Sequence, residues 1–484
     1  MKMAHCRPDD PEFRCTRGFE FTGFTSVKWF SDAEWIYLSE EKRESFIAWL
    51  RRMTLRSRMQ ALFEKVHVCQ PSNPVSAVLY FALRSPALTG LSITDAFKPW
   101  SPDITASMLE LLPRFRRLEQ LRLHTKSVDE LPAVLMDLPA LNHLVIHTWR
   151  VISRGWENLP SQLRALELHL HRGRRDPVHQ HATVPTLGGM TQLTKLAVTL
   201  HELDPAHLAN LTALQHLQLN SMDDEFSRTC IWANLPRLTR LDLENCDSDR
   251  YGLANMRSLR ELRIGWGPET EHEFLLSELA TLTWLTSLEL FSFRTRRSSD
   301  TDWQQLEHLC HLRHLALRQC CLYRVPEVLA GLRHLTSLDL TGSLFANVRH
   351  RDMNHFPESL RRLSLATCGL PFVPDRLIAL TRLQHLDLSR CSVESGWRHL
   401  PRTLETLVLG YFASALPREL RALRRLRELE MTTSEVVPGG WQNLPPNLKV
   451  LKICGPPHIR AIVHRYTNAK CEVKAIMAPT SLDF

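Results

Sequence analysis

The sequence predicts an α/β solenoid, with short parallel strands stacked along one side and brief helical or 3₁₀ segments along the other. Three observations predict it. Leucine is concentrated, with 8 among residues 1–100 and 72 among residues 101–450. The unit Leu-x-x-Leu-x-Leu recurs 15 times from Leu118 onward, at a mean spacing of about 23.6 residues. Within each unit the last two apolar residues are two apart, so in an extended strand they face the same way while the residues between them face the other.

The copies run from Leu118/Leu121/Leu123, Leu141/Leu144/Ile146 and Leu163/Leu166/Leu168 to Leu426/Leu429/Met431 and Leu448/Leu451/Ile453. Two weaker copies precede them, Phe63/Val66/Val68 and Leu88/Leu91/Ile93. A single unit cannot bury its leucines, but side-by-side units share a continuous interior. Each interior leucine then contributes about 1.5–3 kcal/mol of burial.

On these copies the chain resembles the leucine-rich repeat superfamily over about residues 60–455. The resemblance implies a curved horseshoe, with a parallel β-sheet on the concave face and short helices or 3₁₀ segments on the convex face. It divides the chain into a partly helical N-terminal flanking region at 1–60, a solenoid of about 15–17 repeats at 61–455 and a C-terminal cap at 456–484. The family's ninth repeat position is usually a buried Asn or Cys that satisfies backbone groups in the turn. Cys246, Cys320, Cys368 and Cys391 occupy it here, which gives these thiols a structural role. Trp149, His201, Ser343 and Phe412 depart from that rule, so irregular turns are expected there.

Two styles alternate on the outer side. LPAVLMDLPALNHL (131–144), VPEVLAGLRHLTSL (325–338), VPDRLIALTRLQHL (373–386) and LPRELRALRRLREL (416–429) space their apolar residues for a short helix or 3₁₀ turn. GWENLPSQLRALEL (155–168), GWRHLPRTLETLVL (396–409) and GWQNLPPNLKVLKI (440–453) are too short and too proline-rich for a helix. An extended or 3₁₀ segment is expected, with Trp156, Trp397 and Trp441 as packing wedges.

At the ends, residues 40–53 read as an amphipathic helix after Ser39, and Arg43, Arg51, Arg52, Arg56 and Arg58 make a basic run there. The stretch SEEKRESFIAWLRRMTLRSRMQALFEKVHVC is similar to the segment that follows the F-box in algal and plant F-box/leucine-rich repeat proteins. That likeness implies a ubiquitin-ligase subunit with Skp1 and cullin as partners, although residues 1–24 carry no F-box pattern. At the other end a helix near His458–Tyr466 and a strand at Cys471–Ile476 are expected to close the stack.

Composition narrows the function. Lys and Arg total 60 against 52 Asp and Glu, a net +8 that is too dilute to announce nucleic acid. No apolar run is long enough for a membrane span, and the start, MKMAHCRPDDPEFR, lacks the apolar segment of a secretory signal, so a cytoplasmic or nuclear chain is expected, with a cytoskeletal or axonemal structural role as a further alternative. Phosphate loops, dinucleotide fingerprints and nucleophile elbows are missing, so no enzyme and no cofactor is expected.

Counting from the first leucine, positions 3, 5 and 7 project from the concave face. Position 7 aligns His124, His147 and His169 in three consecutive copies, read as polar face residues in preference to a metal or pH-sensitive site. Over the three positions nine carboxylates meet seven Lys or Arg, so the face is sign-mixed and no nucleic-acid groove is expected there. A mixed polar face with an occasional aromatic suits a protein partner. The residues expected to contact it are His124, His147, His169, Asp242, Glu244, Glu261, Arg263, Glu289, Phe291, Arg318, Asp339, Asp387 and Glu430. The histidine-rich loop after His169 and the Arg296-Arg297-Ser298-Ser299 stretch read as solvated loops.

Overall fold

The computed structural model describes residues 65–69, 89–94, 112–124, 130–148, 152, 154–170, 187, 189–199, 208, 210–220, 234–244, 252–265, 275–293, 303–411, 415–432, 440–454, 466 and 471–476. The amphipathic segment at 40–53, the basic run from Arg43 to Arg58, the histidine-rich loop, the Ser298–Ser299 stretch and nearly all of the helix expected near Tyr466 lie outside them. The chain divides into two compact units, Met1–Asn220 and Ser221–Phe484.

Each leucine unit becomes one strand. The first unit holds β1 (Lys65–Cys69), β2 (Gly90–Thr94), β3 (Gln120–His124), β4 (His143–Thr148), β5 (Ala165–Leu170), β6 (Lys195–Thr199) and β7 (His216–Asn220). All neighbours pair in parallel, and the register matches leucine to leucine: Leu121 opposes Leu144, which opposes Leu166, which opposes Leu196.

The second unit holds β8 (Arg240–Glu244), β9 (Glu261–Gly265), β10 (Ser287–Phe291), β11 (His314–Arg318), β12 (Ser337–Asp339), β13 (Arg362–Ser364), β14 (His385–Leu388), β15 (Thr406–Tyr411), β16 (Glu428–Thr432), β17 (Val450–Cys454) and β18 (Glu472–Ile476). It too is parallel throughout in sequence order, with Leu315, Leu338, Leu363 and Leu386 in one row. The strand expected at Cys471–Ile476 is β18, which pairs with β17. Each unit is therefore a leucine-rich repeat solenoid, on the evidence of its own register.

The register is locked at the strand entrance. The residue after the first leucine offers its carbonyl to two successive amides of the next repeat, as Glu119 does to Asn142 and His143, and Arg313 to Thr336 and Ser337. One side-chain period error would expose a whole leucine row, so the burial pattern and this bonding agree. The leucines at the first, fourth and sixth positions are almost completely covered, among them Leu118, Leu144, Leu166, Leu217, Leu285, Leu335 and Leu407.

On the outer side the longer style forms 3₁₀ turns at Ala133–Asp137, Glu327–Gly331, Asp375–Ala379 and Arg418–Ala422, each entered from a proline. The shorter style forms three-residue 3₁₀ turns at Trp156–Asn158, Trp397–His399 and Trp441–Asn443. The three tryptophans are buried, as wedges require. A single short α-helix, α1 (Leu275–Leu279), appears among the described residues. No described helix is long and apolar enough to cross a membrane.

The two styles are matched partners. Asn158 donates to the Leu131 carbonyl at 2.8 Å and Asn443 to the Leu416 carbonyl at 2.7 Å, so a short repeat caps the long repeat before it. His399 approaches the Val373 carbonyl in the same place at 3.4 Å.

Past the strand the ninth position is a buried column. The Cys320 thiol donates to the Leu290 carbonyl, Cys368 to Leu340 and Cys391 to Leu365, each reaching the preceding repeat. Burial pushes the Cys320 and Cys368 thiols up to about 12, so they stay protonated at neutral pH. The turn at Ser343, expected to be irregular, keeps the common path. Its hydroxyl is buried and donates to Leu340 of its own repeat. The residue before this column is left-handed in five consecutive repeats, at Ser292, Gln319, Gly342, Thr367 and Arg390.

Candidate functional site

Because the leucines point inward, alternation sends positions 3, 5 and 7 to the open face of each sheet. Parallel registration makes that face a grid. Adjacent columns are one strand apart, about 4.8 Å, so side chains in neighbouring columns meet directly or on the diagonal.

In the first unit the grid centres on Glu167. His143 lies one strand before it and Lys195 one strand after, and both reach the same carboxylate oxygen, at 2.9 and 2.6 Å. His169, two residues along the same strand, sits 3.7 Å from the other oxygen. Its ring stacks on His147 with centroids 4.4 Å apart. The hydrogen bond from His143 is the largest influence on Glu167, followed by that from His169. Burial pushes the other way, Lys195 adds to the lowering, and the carboxyl is held well below the usual carboxylate range.

The expected histidine column is therefore two stacked rings tied to a carboxylate one register away. The backbone of His124 pairs with His147, while its side chain lies outside the described ones. Among the described residues no group of three or more His, Cys, Asp or Glu is arranged to hold a metal.

Glu167→Gln removes the charge that organises this cluster and is expected to cost about 1–3 kcal/mol near neutral pH. A carboxyl whose value is depressed by folding stabilises the fold above its ordinary value, here 4.5, and loses that contribution as pH falls through and below it. The gap between the urea midpoints of the parent and the variant should narrow progressively from about pH 5 to pH 3 and go on narrowing below it. A gap that stays constant over that range would show that the ionised carboxylate does not stabilise this unit.

In the second unit the charges alternate across the columns. Arg240 bridges Asp242 and Glu261, both at 3.1 Å. Arg263 contacts Glu244 at 3.3 Å and Glu289 at 3.9 Å. Arg318 joins Glu289 to Asp339, the latter at 2.6 Å. Asp339 accepts the Thr341 amide at 2.9 Å, and the Thr341 hydroxyl meets Ser364 at 3.0 Å. The lattice thus runs from Glu244 to Ser364.

Most of these pairs are part-exposed, so each is worth about 0–1 kcal/mol, but the shared members hold one another's rotamers. Asp242 differs, being only 3% exposed, so a partner would meet its arginine first. Phe291 is 37% exposed within the lattice, opposite Gly265 on one side and Arg318 on the other. Further along, Asp387 accepts the Ser389 amide at 2.8 Å, and Lys452 spans Glu428 and Glu430.

His143, Lys195, Glu167, Arg240 and Glu428 were not among the residues expected to act. Their signal is present in the sequence, but only once positions 3, 5 and 7 are written as columns and the diagonals are read.

No known protein-family model matches the chain, and no curated protein matches it in sequence. Among solved structures it is similar to a leucine-rich repeat protein of Leptospira interrogans, with 19% identity over 78% of this chain and 100% of that one, at a TM-score of 0.48. An internalin of Listeria monocytogenes has 17% identity over 79% of this chain and 94% of that one, at a TM-score of 0.42.

Proposed function

We propose that this leucine-rich repeat protein is an interaction scaffold that binds a protein partner on the open faces of its sheets. The observation carrying the reading is Phe291, a partly exposed ring set in a lattice of charges that already hold each other in place. An aromatic anchor ringed by oriented polar groups is the arrangement that concentrates binding energy at protein interfaces. Little side-chain entropy remains to be lost there, because Arg263, Glu289, Arg318 and Asp339 are braced before any partner arrives. Glu244, Glu261 and Arg263 extend the same surface toward β8, where the buried Asp242 acts through Arg240, and His147 and His169 with Glu167 form its counterpart in the first unit. Asp387 and Glu430 are the distal contacts.

A photo-crosslinking residue at position 291, with a second at exposed Ile378 on an outer 3₁₀ turn as control, tests this in the native cell. The expected result is a discrete adduct from position 291 alone, weakened at least tenfold by Arg318→Ala. Identical adducts from both positions, or none from 291, would move the interaction away from the open face. Skp1 in the adduct would identify the ubiquitin-ligase assignment, and tubulin or dynein chains the axonemal one.

A further inference from the structure

On the open face Lys195, Arg240, Arg263, Arg318 and Lys452 each meet a carboxylate, and although Arg122 and Arg362 form no ion pair among the described residues, the nine carboxylates of positions 3, 5 and 7 outnumber their seven Lys and Arg. The excess charge lies on another surface. At the entrance to each strand, the two residues before the first leucine and the one after it form a rim. From Arg237 to Lys449 this rim carries twelve Lys or Arg and two carboxylates, Glu358 and Glu405, a net charge larger than the +8 of the whole chain. One of the two, Glu358, is already engaged by Arg376 at 3.0 Å. All twelve cations are exposed, and among the described residues none of them forms an ion pair with a carboxylate.

The rim is a line. Its backbone rungs are consecutive: Arg260 bonds to Thr239, Thr286 to Arg260, Arg313 to Thr286, Thr336 to Arg313, and Arg361 to Thr336, continuing through Gln384, Glu405, Arg427 and Lys449. At about 4.8 Å per strand, nine steps from β8 to β17 extend roughly 43 Å. Eleven of the twelve cations are arginine, whose planar fork matches phosphate oxygens in pairs. The same rim exposes Trp284 at 54%, between Arg260 and Arg313, with its ring 5.0 Å from that of His311. His311 is itself held on the Thr283 carbonyl at 3.1 Å.

We propose that this rim binds the phosphate backbone of a single-stranded polynucleotide, with Trp284 offering a face on which a base stacks. A charged line interrupted by an exposed aromatic suits a flexible strand that follows it and turns a base inward. A membrane would call for a broad patch, and an acidic peptide would have no use for the ring. None of the rim residues belongs to the open face, so this inference stands independently of the partner proposed there.

The test is fluorescence anisotropy of the full chain with labelled single-stranded RNA and DNA of about 20 nucleotides, enough to cover the rim. A duplex, poly-glutamate and phosphatidylserine vesicles serve as competitors. Binding of either single strand is expected, with a steep salt dependence. Arg424→Ala/Arg425→Ala/Arg427→Ala should weaken it at least tenfold and lower the salt slope by about two. Trp284→Ala should weaken binding several-fold with the slope unchanged, because stacking releases no counterions. The triple lysine variant at 424, 425 and 427 should keep the slope, which separates charge loss from misfolding. Arg318→Ala should leave binding intact. Failure of both single strands to bind at about 50 mM salt, stronger competition by duplex, poly-glutamate or vesicles, or indifference to Trp284→Ala would each overturn the proposal.

Discussion

Alanine at Gly396 is expected to destabilise the second unit by about 3–5 kcal/mol, whereas alanine at Gly331 should change stability by less than about 1 kcal/mol. Gly396 sits at φ +80°, where an L side chain costs about 1–2 kcal/mol on backbone grounds alone. A Cβ there would stand 2.5 Å from the Val373 carbonyl oxygen and 3.0 Å from the Val373 nitrogen. Neither atom can move cheaply, because the Val373 amide is bonded to the Ser395 carbonyl at 2.9 Å. Gly331 ends a 3₁₀ turn with nothing within 4 Å of the same added atom. Its alanine variant loses unfolded-state entropy without any clash. Urea midpoints of the two variants decide the matter, and equal shifts would mean that the approach between repeats places no steric demand on Gly396.

The same geometry recurs at Gly155 against Leu131 and at Gly440 against Leu416. Gly155 is left-handed like Gly396, but Gly440 has φ −100°, so there the demand is purely steric. The Gly-Trp pair of the short repeats is thus a packing device: glycine lets the outer turn touch the long repeat before it, and tryptophan fills the space behind.

The fold was largely legible because its determinants repeat. A leucine column is visible from any one copy, and 15 copies fix the strand positions, the inward face and the register. The thiols at Cys320, Cys368 and Cys391 were legible for the same reason. What the sequence hid depends on geometry between copies. Glu167 reads as one polar residue among many until His143 and Lys195 arrive from the strands on either side. The left-handed turn after the strand was invisible because only Gly342 of its five positions is glycine; at Ser292, Gln319 and Thr367 the amide is bonded to a carbonyl of the next repeat, and Arg390 takes the same conformation. The charge balance of the face did imply that the excess cations lie elsewhere. Only the backbone ladder at the strand entrances shows that they form one row.

Phe345→Ala is expected to cost about 3–5 kcal/mol, the range for deleting a buried aromatic side chain. Phe345 has no exposed surface, and with Phe293 and Phe356 it is among the largest fully buried side chains. It follows the turn after β12, and its amide is bonded to the Cys368 carbonyl of the next repeat at 3.1 Å. It therefore joins the β12 and β13 repeats, whose strands are only three residues long. Short strands contribute few ladder bonds, so these repeats depend heavily on packing. In a solenoid stability is approximately a sum of repeat and nearest-neighbour terms, so the loss should be local. Amides of β12, β13 and the turns between them should lose protection from hydrogen exchange by about 10²–10⁴-fold, at roughly tenfold for every 1.4 kcal/mol. Those of β16 to β18 should change by less than about tenfold. Uniform acceleration from β8 to β18 would instead mean that the eleven strands open as one cooperative block, and that nearest-neighbour contacts do not govern this unit.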